Sequence, residues 1–188
     1  MQRVFDKQQE LMAKFGEIER NNGYSYVPTG RLDIDNPQDQ LKIKELVGRI
    51  YEELAEAQNA NDGYGDEPAE VEMIDALHFI TELTIHLGYD WFDIESGLVE
   101  QGYIQFNFEM GVYFLYRQLG MFTNTLKNRP WKQSMKPTNK QEFAIGLIMI
   151  WQIYFDIMGS CFEYTIDDII EAYLAKHKVN LDRIEDGK

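Results

Sequence analysis

The chain has 188 residues, a formal net charge of −14, 44% hydrophobic and 13% aromatic side chains, and one cysteine, Cys161. That length and apolar content suit one domain with a real core and exclude an intrinsically disordered chain. The acidic balance argues against a nucleic-acid footprint, and the lone cysteine excludes a disulfide framework or a cysteine-rich zinc site, so a cytoplasmic protein is expected.

Residues 3–20 read as an amphipathic helix with Val4, Leu11, Phe15 and Ile18 on one side, stopped by Asn21-Asn22-Gly23. Residues 24–37 read as loop. A second helix starts near Asn36-Pro37 and runs to about Ala60, with the apolar stripe Ile43, Leu46, Val47, Ile50, Leu54 and Ala57. A turn-rich loop, 61–68, ends in Pro68, which suits the first turn of a third helix over about 69–87, closed by Gly88. This third helix is apolar nearly all round, as a central core helix is. A short helix over 90–101 and an aromatic-rich one over 103–126 follow. Then come a basic loop over 128–139 and two closing helices over about 141–160 and 166–178. Strand signals are weak, so an all-α helical bundle is expected, as one domain over 1–188 with an insertion at about 103–140. The apolar stretch Phe143–Phe162 is interrupted by Gln152 and Asp156 and reads as a buried helix, with no membrane role.

Charge is distributed unevenly. Residues 50–116 hold 15 acids and no Lys or Arg, whereas 117–140 hold six bases and no acid. An acidic solvated surface explains many of these acids but not those on faces that should be buried. At about 100° per residue, Glu53 and Glu56 lie together on the flank of the second helix's apolar stripe, and Glu52 points away. On the third helix Glu72 and Asp75 are also three apart and share a face with Phe79, Glu82 and His86. The short loop makes the two helices antiparallel neighbours, so two carboxylate pairs face one another across the seam. Desolvation and mutual repulsion would raise all four pKa values, with no local base to neutralise them. A hard divalent cation of the Mg²⁺ type, with Mn²⁺ as the alternative, would do so through oxygen ligands.

Glu53-x-x-Glu56 followed by Glu72-x-x-Asp75 resembles the ExxE…ExxD signature of the all-α nucleoside triphosphate pyrophosphohydrolases. These include dimeric dUTPases, bacteriophage dCTP/dUTP pyrophosphatases and MazG-type enzymes. Tyr173, Lys176, Asn180, Arg183, Asp186 and Gly187 are similar to the C-terminal block of the dUTPase branch. The resemblance implies that Glu53, Glu56, Glu72 and Asp75 coordinate Mg²⁺ and that Glu53 also orients or deprotonates the attacking water. It implies that Lys176 and Arg183 hold the triphosphate and Asn180 the nucleoside, giving a nucleoside monophosphate and pyrophosphate, with dUTP the leading substrate. Dimeric dUTPases read the base with a Gln and an Asn near the N-terminus. Gln9, or its neighbour Gln8, stands for the first, and Met12 stands where the Asn would be. Ile184 and His177 also depart from the family block.

Three further readings accompany these. The loop Arg129-Pro130-Trp131-Lys132 looks like the phage branch's basic insertion near the site, or is a solvent loop with Trp131 packed on the core. His78 reads as a satisfied core histidine, Glu82 as a partner behind the metal site or of His86, and Cys161 as buried and inert. The aromatic middle region exceeds what one small bundle needs to bury, so a homodimer is expected. Three alternatives stay open: a non-catalytic acidic helical protein binding a basic partner, a di-iron bundle, and a MazG-like enzyme acting on a purine dNTP or dCTP.

Overall fold

The computed structural model describes all residues except 25–27, 29, 100–103, 129–130 and 187–188. Among the described residues it is all-helical, without strands. The elements are α1 (Gln2–Asn21), α2 (Pro37–Asn61), α3 (Ala69–His86), α4 (Trp91–Glu95), α5 (Phe108–Thr125), α6 (Lys140–Cys161) and α7 (Ile166–Glu185). Parts of the expected 24–37 loop, Tyr103 at the expected start of the insertion, Arg129, Pro130 and Gly187 lie outside the described residues.

The helix starts follow from local hydrogen bonding. The Asn36 side chain accepts from the N–H groups of Gln38 and Asp39, with Pro37 at the first helical position. Asp90 and Thr165 form capping boxes with Asp93 and Asp168. Gly88 closes α3 at φ +77°, a left-handed conformation that side chains with a Cβ rarely adopt.

Three boundaries differ from expectation. α4 ends at Glu95, where the N–H groups of Ser96 and Gly97 turn back to the Phe92 and Ile94 carbonyls and close the helix. α5 begins at Phe108, because the Asn107 side chain takes the Met110 N–H and caps the helix there. α7 runs on to Glu185. Leu174, His177, Leu181 and Ile184, buried or half-buried, keep helical spacing, and no Gly or Pro intervenes before Gly187.

α3 is the hub, packed against α1, α2, α6 and α7. Met73, Ala76, Leu77, Ile80 and Leu83 are fully buried. α6 meets the length and apolarity of a membrane span. Its Phe143, Ile150, Trp151, Tyr154 and Met158 are nonetheless buried in the core. Two of these side chains tie it to α3: the Trp151 Nε1–H donates to Thr84 Oγ1 (3.0 Å) and the Tyr154 hydroxyl to the Met73 carbonyl (3.1 Å).

The basic loop is anchored far from the acidic seam. Asn128 donates to Gln40 Oε1 and to the Asp35 carbonyl, and Thr138 donates to the Ile34 carbonyl. These partners sit at the N-terminal end of α2. Gln40 is 13 residues before Glu53, about 20 Å along the helix. Trp131 is 77% exposed, which removes the alternative in which it packs on the core. Cys161 is half-buried rather than buried and lies against Ser160 and the Phe106 carbonyl.

Candidate active site

α2 and α3 present their acids to one another because a short loop reverses the chain between two helices with matching stripes. Oxygen atoms of Glu53, Glu56 and Glu72 all lie within 4.8 Å of one another, and so do those of Glu67, Glu72 and Asp75. The two groups share Glu72. Glu53 interacts most strongly with Asp75, and Glu72 with Glu56, as antiparallel helices require. Glu72 is buried, Glu53 and Asp75 half-buried, and Glu56 exposed at the rim. Glu52 points outward to Arg49 at 2.9 Å.

The electrostatics match this crowding. Burial, followed by repulsion from Asp75, Glu56 and Glu72, pushes Glu53 up to about 7. Burial and the charges of Glu56, Asp75 and Glu67 raise Glu72. Burial raises Asp75 as well, against the opposing pull of Lys176. Lys176 crosses from α7 to place its Nζ 2.7 Å from Asp75 and 2.9 Å from Glu67. Burial works against its charge, but these two hydrogen bonds prevail and its pKa rises. One ammonium among five carboxylates leaves a strongly negative site. Converging oxygen donors with raised pKa values are the donor set that suits a hard divalent cation.

Glu67 was not singled out by sequence spacing. It lies in the loop before α3, and its partner Lys176 is 109 residues away, so only tertiary structure brings it in. Glu67→Gln is expected to loosen Lys176 at one of its two anchors. A two- to five-fold rise in KM for a triphosphate substrate with kcat nearly unchanged, read by steady-state kinetics, corresponds to the loss of a partly exposed ion pair of about 0.5–1 kcal/mol.

The acids and α7 line a common cleft of about 810 Å³. Lys176, Asn180 and Arg183, spaced along one face of α7, stand at its acidic end; Gln8, Leu11, Phe15, Phe79 and Glu82 line it too. Gln9 does not join them. It lines a second cleft of about 480 Å³ with Met12, Arg20, Arg31 and His86, because one residue on a helix is a 100° turn. Its neighbour Gln8 is the one directed inward. The buried Gln8 amide accepts from the Tyr173 hydroxyl, lies 2.9 Å from His78 Nδ1, and donates to Glu82 at 3.3 Å. His78 also stacks on Tyr173 with centroids 4.1 Å apart, and burial lowers its pKa to about 3. Burial lowers His86 to about 4 and pushes Glu82 up to about 7, with 3.8 Å between the two. Spacing marked Glu82 and His78 as polar positions on α3. The link through Gln8 and Tyr173 spans 165 residues and has no sequence signature.

No curated protein and no solved structure matches the chain. A family model described as dUTPase matches residues 50–187, a span that opens just before Glu53 and takes in Glu72, Asp75, Lys176, Asn180 and Arg183. That match covers well over half of the chain, and the all-helical architecture agrees with it. The chain belongs to this dUTPase family, a helical family of nucleotide-hydrolysing enzymes.

Proposed function

We propose that the protein is a Mg²⁺-dependent deoxynucleoside triphosphate pyrophosphohydrolase that cleaves dUTP to dUMP and pyrophosphate. The observation that carries this reading is the common cleft, lined both by the carboxylates of α2 and α3 and by Lys176, Asn180 and Arg183 of α7. Glu53, Glu56, Glu72 and Asp75 would hold Mg²⁺, or Mn²⁺ in its place. The cation supplies charge neutralisation for the phosphates and acidifies bound water.

The chain's own groups do the rest. Glu53 takes a proton from the attacking water or orients it. Lys176, anchored by Asp75 and Glu67, turns its third N–H to the phosphate oxygens. Arg183 offers a planar fork to the same triphosphate, and Asn180 meets the sugar. Positioning and electrostatics then supply most of the acceleration, as in other phosphoryl transfers.

We take residues 1–188 as one domain with an insertion at about 103–140, acting as an intracellular homodimer. The exposed Met110, Tyr113, Met121, Ile145 and Met149 on α5 and α6 are the apolar side chains a second copy would cover.

The test is pyrophosphate release across dUTP, dCTP, dTTP, dATP and dGTP, with Mg²⁺ and with excess chelator. Turnover of dUTP above the others, lost with chelator, is the expected result. No turnover of any nucleotide would leave the acidic face as a docking surface for a basic partner.

A further inference from the structure

The cleft contains a carboxylate that the hydrolytic chemistry does not use. Glu82 lies seven residues beyond Asp75 on α3, two turns or about 10 Å farther along the axis. That offset is comparable to the reach from a nucleotide's phosphates to the far edge of its base. The Glu82 side chain is 19% exposed and lines the cleft together with Leu11, Phe15 and Phe79, and it borders the second cleft as well. Apolar walls of this kind suit a flat heterocycle.

A carboxylate in such surroundings is costly unless hydrogen bonds compensate it. Among the described residues Glu82 accepts one bond, from Gln8 at 3.3 Å, and His86 Nε2 stands 3.8 Å away, beyond hydrogen-bond range. Lys42, which lines the same cleft, is bound to Glu45 at 3.1 Å. A carboxylate has about four acceptor sites, so Glu82 keeps acceptor capacity for a ligand. The Gln8 amide cannot turn to compete for it. Its oxygen is held by the Tyr173 hydroxyl and faces His78, which directs its NH₂ group toward Glu82.

We propose that Glu82 is a specificity-determining residue that accepts the N3–H of the substrate's uracil ring, and that Gln8, held by Tyr173 and His78, positions its carboxylate. This rests on the dUTP hydrolysis proposed above and names how the base is read. Cytosine has no N3–H and offers an acceptor at that position. An acceptor built to meet a ring N–H penalises a base that lacks one, because the buried carboxylate is then left unpaired.

The experiment compares kcat/KM for dUTP, N3-methyl-dUTP and dCTP in the wild-type chain and in Glu82→Met. It is run at pH 8.5 so that Glu82, pushed up to about 7 by burial, is ionised. The wild-type chain is expected to prefer dUTP to N3-methyl-dUTP by about 100-fold or more. Glu82→Met, which keeps the length of the side chain and removes both acceptor oxygens, should lower kcat/KM for dUTP by about 10- to 100-fold, chiefly through KM, and leave N3-methyl-dUTP unchanged, so that the discrimination collapses. The wild-type comparison needs no variant and stands even if Glu82→Met fails to fold. Equal use of dUTP and N3-methyl-dUTP by the wild-type chain would overturn the inference while dUTP hydrolysis stood. A variant that keeps the discrimination, or loses activity on dCTP alone, would overturn it equally. If the wild-type chain turned over no nucleotide, the hydrolase reading itself would fall.

Discussion

Glu53→Gln is expected to lower kcat for dUTP about a thousandfold while leaving the fold and most of the triphosphate affinity in place. Glu53 has two assigned tasks, as one ligand of the cation and as the group that takes or orients the proton of water. Loss of a general base alone costs about 10²- to 10⁴-fold. The amide keeps the size and one acceptor oxygen of the carboxylate but cannot take a proton, and it adds no negative charge to the cation site. Lys176 and Arg183 stand on α7 and are not disturbed, so KM should move far less than kcat. Asp75→Asn should behave differently. It removes a metal ligand and one of the two anchors of Lys176, at 2.7 Å, so kcat should fall and KM rise together. Steady-state kinetics on the two variants separates the roles. A Glu53→Gln enzyme retaining a tenth of wild-type kcat would remove Glu53 from the chemistry.

The second large effect is on stability without metal. The folded chain holds Glu53 at about 7, against an ordinary value of 4.5. A carboxyl raised in the folded state is protonated in both states below pH 4.5, so folding then carries no penalty from it. As pH rises from 4.5 through 7, the folded protein must give up that proton in a crowded negative site, and stability is lost. In chelator, Glu53→Gln should therefore match the wild-type chain near pH 4.5 and exceed it at pH 8. The gain should be about 1–2 kcal/mol, reduced from the full linkage value because this half-buried carboxylate is screened by solvent. For a chain of this length that is about 3–6 °C in Tm. His78 and His86 titrate in the opposite sense, from depressed values of about 3 and 4, but do so in both chains and cancel from the difference. Mg²⁺ should invert the order, since at 100 times its Kd it stabilises whichever chain binds it by about 2.7 kcal/mol. A wild-type chain more stable than Glu53→Gln at pH 8 in chelator would mean that the four acids do not repel one another.

The acidic seam was legible in the sequence because it depends on local periodicity. Carboxylates at i and i+3 on two consecutive helices must share faces, and a short loop must set those helices antiparallel. Lys176, Asn180 and Arg183 came from the resemblance of the C-terminal block to the dUTPase branch, and the helix that carries them was expected to stop at 178, short of two of them. What the sequence left hidden depends on contacts between distant segments. Glu67 belongs to a loop with no period. Gln8 and Gln9 differ by one helical step, and only the packing of α1 against α3 and α7 decides which turns inward. The basic loop carries a composition but no address, and its hydrogen bonds to Asp35 and Gln40 fix it at the far end of α2. Helix ends were missed where a cap intervened at Asn107 and where an amphipathic pattern continued through polar residues to Glu185.

The most direct test is calorimetric titration of the metal-free chain with Mg²⁺ at pH 8, beside a Glu72→Gln, Asp75→Asn double variant whose fold is checked by circular dichroism. Saturable binding to the wild-type chain, abolished in the double variant, is the predicted result. Equal binding by both, or none by either in the presence of a non-hydrolysable dUTP analogue, would contradict a cation held between α2 and α3.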